Sequence, residues 1–207
     1  MRKQLLLAMS ILSGTTLFAD DILTGDVKLA CEAILCLSSG TRPSECAPSL
    51  DKYFSISAEK LKDTIAKRKS FLQLCPVDGA DSDDLVFADL RDNVLTSADP
   101  RQCTPEALNT RVERSGKDDD AGYRINPNMP SSCSSLINHA YTDIKMPTYT
   151  CSGEFYSSLE WSISAKLEPI SASEYRGLSE GDRHLIEDYE DTFYYRKTPI
   201  NKNCWTH

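Results

Sequence analysis

Residues 31–76, CEAILCLSSGTRPSECAPSLDKYFSISAEKLKDTIAKRKSFLQLCP, hold four of the chain's eight cysteines and its strongest helical patterning. In VKLACEAILCLSS, Val27, Cys31, Ile34 and Leu35 share one helical face, and Leu29, Ala33 and Cys36 form another. Both faces are apolar, so the spacing predicts a helix buried between neighbours, with Asp26 as its cap. Cys31 and Cys36 are about 140° apart on a helix turning 100° per residue, so they cannot bridge each other and must reach different partners. Gly40-Thr41-Arg42-Pro43 breaks this helix, and Pro43 or Ser44 opens a short second one around Cys46 to Phe54. Ser57 then caps a longer helix, AEKLKDTIAKRKSFLQL, which Pro76 ends. Ala58, Leu61, Ile65, Leu72 and Cys75 line its buried side. Cys36–Cys46 across the turn and Cys31–Cys75 between the buried stripes are the favoured bridges, tying three helices at both ends.

Upstream, Met1-Arg2-Lys3-Gln4 leads into an apolar run from Leu5 to Leu12, and Leu17-Phe18-Ala19 ends in a small residue. That pattern predicts a signal peptide over residues 1–19, its apolar part too short to span a bilayer. Cleavage removes Arg2 and Lys3 and leaves 21 Lys and Arg against 31 Asp and Glu, a net charge of −10. An acidic surface repels phosphate backbones, so nucleic acid is not an expected partner. No stable membrane anchor is expected after cleavage, and the oligomeric state stays open. All eight cysteines lie beyond residue 19, and an even set in an exported chain reads as four disulfides. Eight cysteines allow 105 pairings, so the sequence alone does not fix them. Cys103–Cys133 and Cys151–Cys204 complete the favoured set.

Downstream, DGADSDD and SADPRQ surround a short apolar segment, Leu85 to Leu90, read as a strand or short helix. Thr104-Pro105-Glu106 starts a helix into EALNTRVER, SGKDDDAG is a solvated loop, and Pro130 opens a helix through Cys133, Leu136, Ile137 and Tyr141. MPTYTCSGEFYSSLEWSI reads as a strand and then a short helix. Ser179, with Asp182 three residues on, caps another helix carrying Leu185, Ile186, Tyr189 and Phe193. The expected fold class is mainly α. It comprises a disulfide-stapled helical module over about residues 26–76 and a second, mostly helical C-terminal region with few short strands. The expected organisation is a signal peptide at 1–19, a Cys-rich module at 20–95 and a disulfide-bonded region at 96–207.

Little in the chain speaks for catalysis. His139 follows four serines and precedes Asp143, but no strained G-x-S-x-G turn accompanies it, so a surface histidine is expected. His184 reads as an exposed helix turn and His207 stands alone at the end. An even cysteine set leaves no free thiolate. Neither CxxC pairs nor clustered histidines mark a metal site, and no glycine loop marks a phosphate site, so no cofactor is expected. Glu154 and Glu160, flanking FYSSLEW, are the one carboxylate pair worth testing for a peptidoglycan-active enzyme. A secreted toxin or effector is the other alternative. The chain is rich in aromatics, with YEDTFYY a late cluster, and such residues suit protein contacts as well as small cores.

The run LACEAILCLSSGTRPSECAPSLDKYFSI with KRKSFLQLCP resembles the TrbM/KikA family of conjugal transfer proteins. The shared features are C-E-A-x-L-C-L, a Gly turn, E-C-x-P-S-L-x-x-Y-F-S-I and F-L-x-L-C-P. Cys31, Glu32, Cys36, Cys46, Pro48, Tyr53, Phe54, Cys75 and Pro76 carry the resemblance. It implies a periplasmic accessory of a plasmid conjugation or type IV secretion system, acting in mating-pair formation through contacts with other envelope proteins. It brings no catalytic residue.

Overall fold

The computed structural model describes residues 24–76, 84–117 and 121–207, and the expected signal peptide lies outside them. Helix α1 spans Gly25–Ser38, with Thr24 rather than Asp26 at its N-cap and Asp26 in the first turn. A carboxylate there still favours the positive end of the helix dipole. A short 3-10 turn over Ser44–Cys46 leads into α2, Ala47–Ser55, which has a proline in its first turn. Helix α3 is shorter than the sequence suggests, Leu61–Leu72, with Lys60 and not Ser57 at its N-cap. Its inward stripe also differs. Leu61 is exposed, while Thr64, Phe71 and Leu72 are buried. The Thr64 hydroxyl accepts the Ala58 N–H at 2.9 Å, which satisfies the extended lead-in and draws Thr64 inward.

From Leu85 on, α4 (Leu85–Asp89), a π turn (Leu90–Val94) and α5 (Leu95–Ser97) follow one another without a break. Leu90, Val94 and Leu95 from this stretch join Ala30, Ala33, Ile34 and Leu37 of α1, Tyr53 of α2, and Phe71 and Leu72 of α3. Each large apolar side chain sequestered this way contributes about 1.5–3 kcal/mol. Cys133, Leu136 and Ile137, from α7 (Ser131–Ile137), belong to the same core. Tyr53 is wholly buried, its hydroxyl donates to the Leu95 carbonyl, and burial pushes its pKa up to about 12.

The expectation of a mainly α protein is wrong for the C-terminal half. Beyond α6 (Pro105–Asn109) the backbone of the described residues is carried by three small antiparallel sheets, with short helices between strands. The stretch expected to extend α6 is instead β1, Val112–Ser115, paired with β2, Gly122–Ile125, across the SGKDDDAG loop. Glu113 faces Arg124 in that register, and their side chains meet at 2.9 Å. Gly122 admits no side chain, because an added Cβ would lie 2.9 Å from Phe155 Cβ. Strand β2 continues the sheet to β4, Tyr156–Ser157. Strand β3, Thr148–Tyr149, pairs with the terminal β8, Trp205–Thr206. Leu108, Ile125, Cys204 and Trp205 form a second, smaller core beneath these pieces.

The largest departure is at the late aromatic cluster. Leu185, Ile186, Tyr189 and Phe193 fit helical spacing, yet they lie on a hairpin of β6 (Arg183–Asp188) and β7 (Asp191–Pro199). Tyr189 sits fully exposed at its tip with φ +53°, a conformation no helix uses. TFYY is β-branched and aromatic, and such residues favour a pleated surface over a helix. Ser179 does bond Asp182, at 2.6 Å, but that contact closes only a 3-10 turn over Glu180–Asp182. Strand β5, Ala165–Pro169, completes this sheet on the far side of β7, and α9, Ala172–Gly177, places Tyr175 against Tyr194 at 4.9 Å.

Candidate interaction surface

The eight cysteines form four disulfides: Cys31–Cys75, Cys36–Cys46, Cys103–Cys133 and Cys151–Cys204. These are the pairs favoured from the sequence. The first two clamp α1 to the end of α3 and to the start of α2, and the third ties the 100–103 turn to α7. The other residues of the resemblance serve the same module. Phe54 lies under the Arg101 guanidinium at 3.5 Å, and Arg68 stands 4.8 Å from the Tyr53 ring. Glu32 pairs with Lys28 one turn before it on α1.

The carboxylate pair singled out for chemistry is engaged locally. Glu154 is exposed, accepts Lys166 Nζ at 3.0 Å and the Tyr156 hydroxyl at 2.9 Å, and both hold its pKa down, Lys166 most. Glu160 closes a capping box with Ser157 at the start of α8 (Ser158–Ile163). Its carboxylate also accepts the Leu167 N–H at 2.8 Å. Burial pushes Glu160 up, but the Leu167 and Ser157 donors outweigh it and the net shift is downward. A lowered folded-state pKa adds stability above the unfolded value, lost as pH falls through the folded one. Glu160→Ala will therefore cost about 1 kcal/mol at pH 7, and the gap to wild type will narrow below about pH 4. Thermal melts at pH 7 and 3.5 check this, and an equal gap at both would refute it.

Two of the three histidines are placed differently from their sequence reading. The His139 side chain is largely covered: Nδ1 accepts the Tyr141 N–H at 3.2 Å and Nε2 lies 3.9 Å from Asp89, with no serine hydroxyl on the ring. His184 is on β6 and not on a helix turn. Among the described residues no group of three or more His, Cys, Asp or Glu is placed to hold a metal ion.

What the module leaves open is an apolar groove of about 490 Å³ between α1, α4 and the loop after α7. Ile34, Leu35, Phe87, Leu90 and Tyr141 line it. The α1 face that Leu35 shares with Val27, Cys31 and Ile34 is expected to be buried, yet Leu35 is 70% exposed. The ring of Phe87 meets Tyr141 edge-on at 6.3 Å. The Tyr141 hydroxyl donates to Asp84 at 2.6 Å, and that bond most of all lowers the Asp84 pKa. Asp143 closes the other rim, held by the Gly40 N–H at 2.6 Å. Among the described residues no lysine or arginine lines the groove. Its floor borders the π turn, an irregularity often found at functional sites. Leu35 and Tyr141 are legible in the sequence as apolar positions but not as neighbours, because what joins their segments is long-range: the shared core and the Asp143 N–H donating to the Ser38 carbonyl at 3.2 Å.

A family model described as TrbM matches residues 22–175, which take in both cores' helices and end before the β6–β7 hairpin. No curated protein and no solved structure matches the chain.

Proposed function

We propose, because this chain belongs to the TrbM family, that it is a periplasmic accessory of a conjugation or type IV secretion apparatus acting in mating-pair formation. Membership makes it a conjugal-transfer-related protein. The four disulfides fit an oxidising compartment, and among the described residues no helix is long and apolar enough to cross a membrane. The work is done by contact. The observation that carries this is the groove, whose apolar floor and acidic rim suit one occupant: an amphipathic segment of another envelope protein, bearing a lysine or arginine beside its apolar side chains.

Deletion of the gene is expected to lower plasmid transfer, and wild-type protein to restore it. Leu35→Asp should fold normally, because the side chain is exposed, yet restore transfer poorly. Loss of one anchoring contact lowers partner affinity by about tenfold. Unchanged transfer after deletion would overturn the function. Full rescue by Leu35→Asp in a strain that needs the protein would overturn only the groove.

A further inference from the structure

The β5-β7-β6 sheet has two outer edges, and the chain treats them differently. On β5 the Leu167 N–H, which points away from β7, is taken by the Glu160 carboxylate at 2.8 Å. On β6 there is no such cover. The Ile170 N–H donates to the Tyr194 carbonyl at 2.9 Å, so the even-numbered residues of β7 face β5. Alternation along an antiparallel ladder then turns Phe193 and Tyr195 towards β6, where they meet Ile186 and His184. Arg183, Leu185 and Glu187 are left with backbone N–H and C=O groups directed outwards. None of these groups has a partner among the described residues. Bare edges of this kind invite another strand unless they are blocked.

The side chains on this edge specify which strand. Arg183, Leu185 and Glu187 alternate onto one face in the order positive, apolar, negative. Leu185 is half-exposed and Glu187 has no ion-pair partner among the described residues. The Arg183 guanidinium rests over the Tyr175 ring at 5.3 Å, on that same face.

We propose that β6 is a self-association edge, on which two copies of this chain pair antiparallel about a two-fold axis at Leu185 and fuse their sheets into one of six strands. A two-fold normal to the sheet sets Leu185 opposite the partner's Leu185, and Arg183 opposite the partner's Glu187 twice over. The triplet is its own complement read backwards. Parallel pairing would set arginine against arginine. The pattern extends along the hairpin, whose tip carries Glu187, Asp188, Glu190 and Asp191, and whose base carries Arg183 opposite Arg196. Antiparallel docking lays each acidic tip along the other copy's basic base. The outward N–H and C=O groups of all three residues find partners in the same step.

Sedimentation velocity on the mature protein, followed from micromolar to about 100 μM at low salt, tests this. A concentration-dependent dimer is expected. Arg183→Glu and Glu187→Arg each weaken it by about tenfold or more, since either change turns two attractive pairs per dimer into two repulsive ones. Arg183→Glu combined with Glu187→Arg restores it, an outcome that only pairing between identical strands predicts. Leu185→Pro removes an outward N–H that β7 does not use, so it abolishes the dimer and leaves the monomer's circular dichroism in place. A monomer at every concentration would overturn the proposal. So would a dimer indifferent to Leu185→Pro, or single variants that the double exchange fails to rescue.

Discussion

Cys31→Ser and Cys75→Ser variants of the mature protein will melt on the order of 10 °C below wild type and accumulate poorly in the envelope. The bridge closes 44 residues of sequence, and the chain-entropy argument assigns such a loop about 4 kcal/mol. That is a large share of the 5–15 kcal/mol by which a domain of this kind is stable. The loss is also badly placed. Cys75 follows the buried end of α3, and Cys31 lies on α1 beside Ala30, Ala33 and Ile34, so the bridge holds together the two helices that bring Ala30, Ala33, Ile34, Leu37, Phe71 and Leu72 to the core. Cys36→Ser makes the control. Its loop is only 10 residues long, worth about 3 kcal/mol on the same argument, so it should melt between the two. Thermal melts and blots of the periplasmic fraction measure both effects. Wild-type melting in the Cys31 and Cys75 variants would show that packing, not the bridge, holds α1 to α3.

The N-terminal module was legible because its signals are local and agree. Apolar spacing, a glycine-proline break and cysteine placement all point to helices whose buried stripes carry the sulfurs. Where the reading slipped, a side chain chose a local partner. Thr64 bonds Ala58 and so displaces Leu61 from the buried side of α3. The groove was not legible, since Leu35 and Tyr141 are more than a hundred residues apart in sequence and meet only in the folded chain.

The C-terminal half misled for a different reason. Its apolar residues are sparse enough to satisfy two periods at once, and Leu185, Ile186, Tyr189 and Phe193 match a helix as well as a hairpin. Composition was the better guide. TFYY favours a strand, and the arginine-rich base with an acidic tip suits a ribbon more than a helix. Two helix starts were also there to be read. Ser157 with Glu160, and Ser171 with Glu174, both form capping boxes, whereas the chosen Ser179–Asp182 pair closes only a single 3-10 turn.

Trp205→Ala will destabilise the protein by about 3–5 kcal/mol, and the damage will be regional. Trp205 is only 5% exposed and packs on Leu108 and Ile125, edge-on to Tyr149 at 5.3 Å. Its indole N–H donates to the Asn126 carbonyl at 3.1 Å. Its backbone N–H and C=O are both taken by the Asn109 amide, at 2.8 and 3.0 Å. One residue next to the chain's end thus joins β8, α6 and β2. None of these contacts belongs to the main core of α1, α2 and α3, which touches the smaller one through Met129. Hydrogen exchange should therefore show the amides of β1, β2 and β8 opening in Trp205→Ala while those of α1 and α3 stay protected. Trp205→Phe keeps most of the packing and loses the indole donor, so it should cost only about 1–3 kcal/mol. Equal loss of protection in α1 and around Trp205 would mean the two cores unfold as one unit. The terminal residues would then stabilise the whole chain and not the sheet region alone.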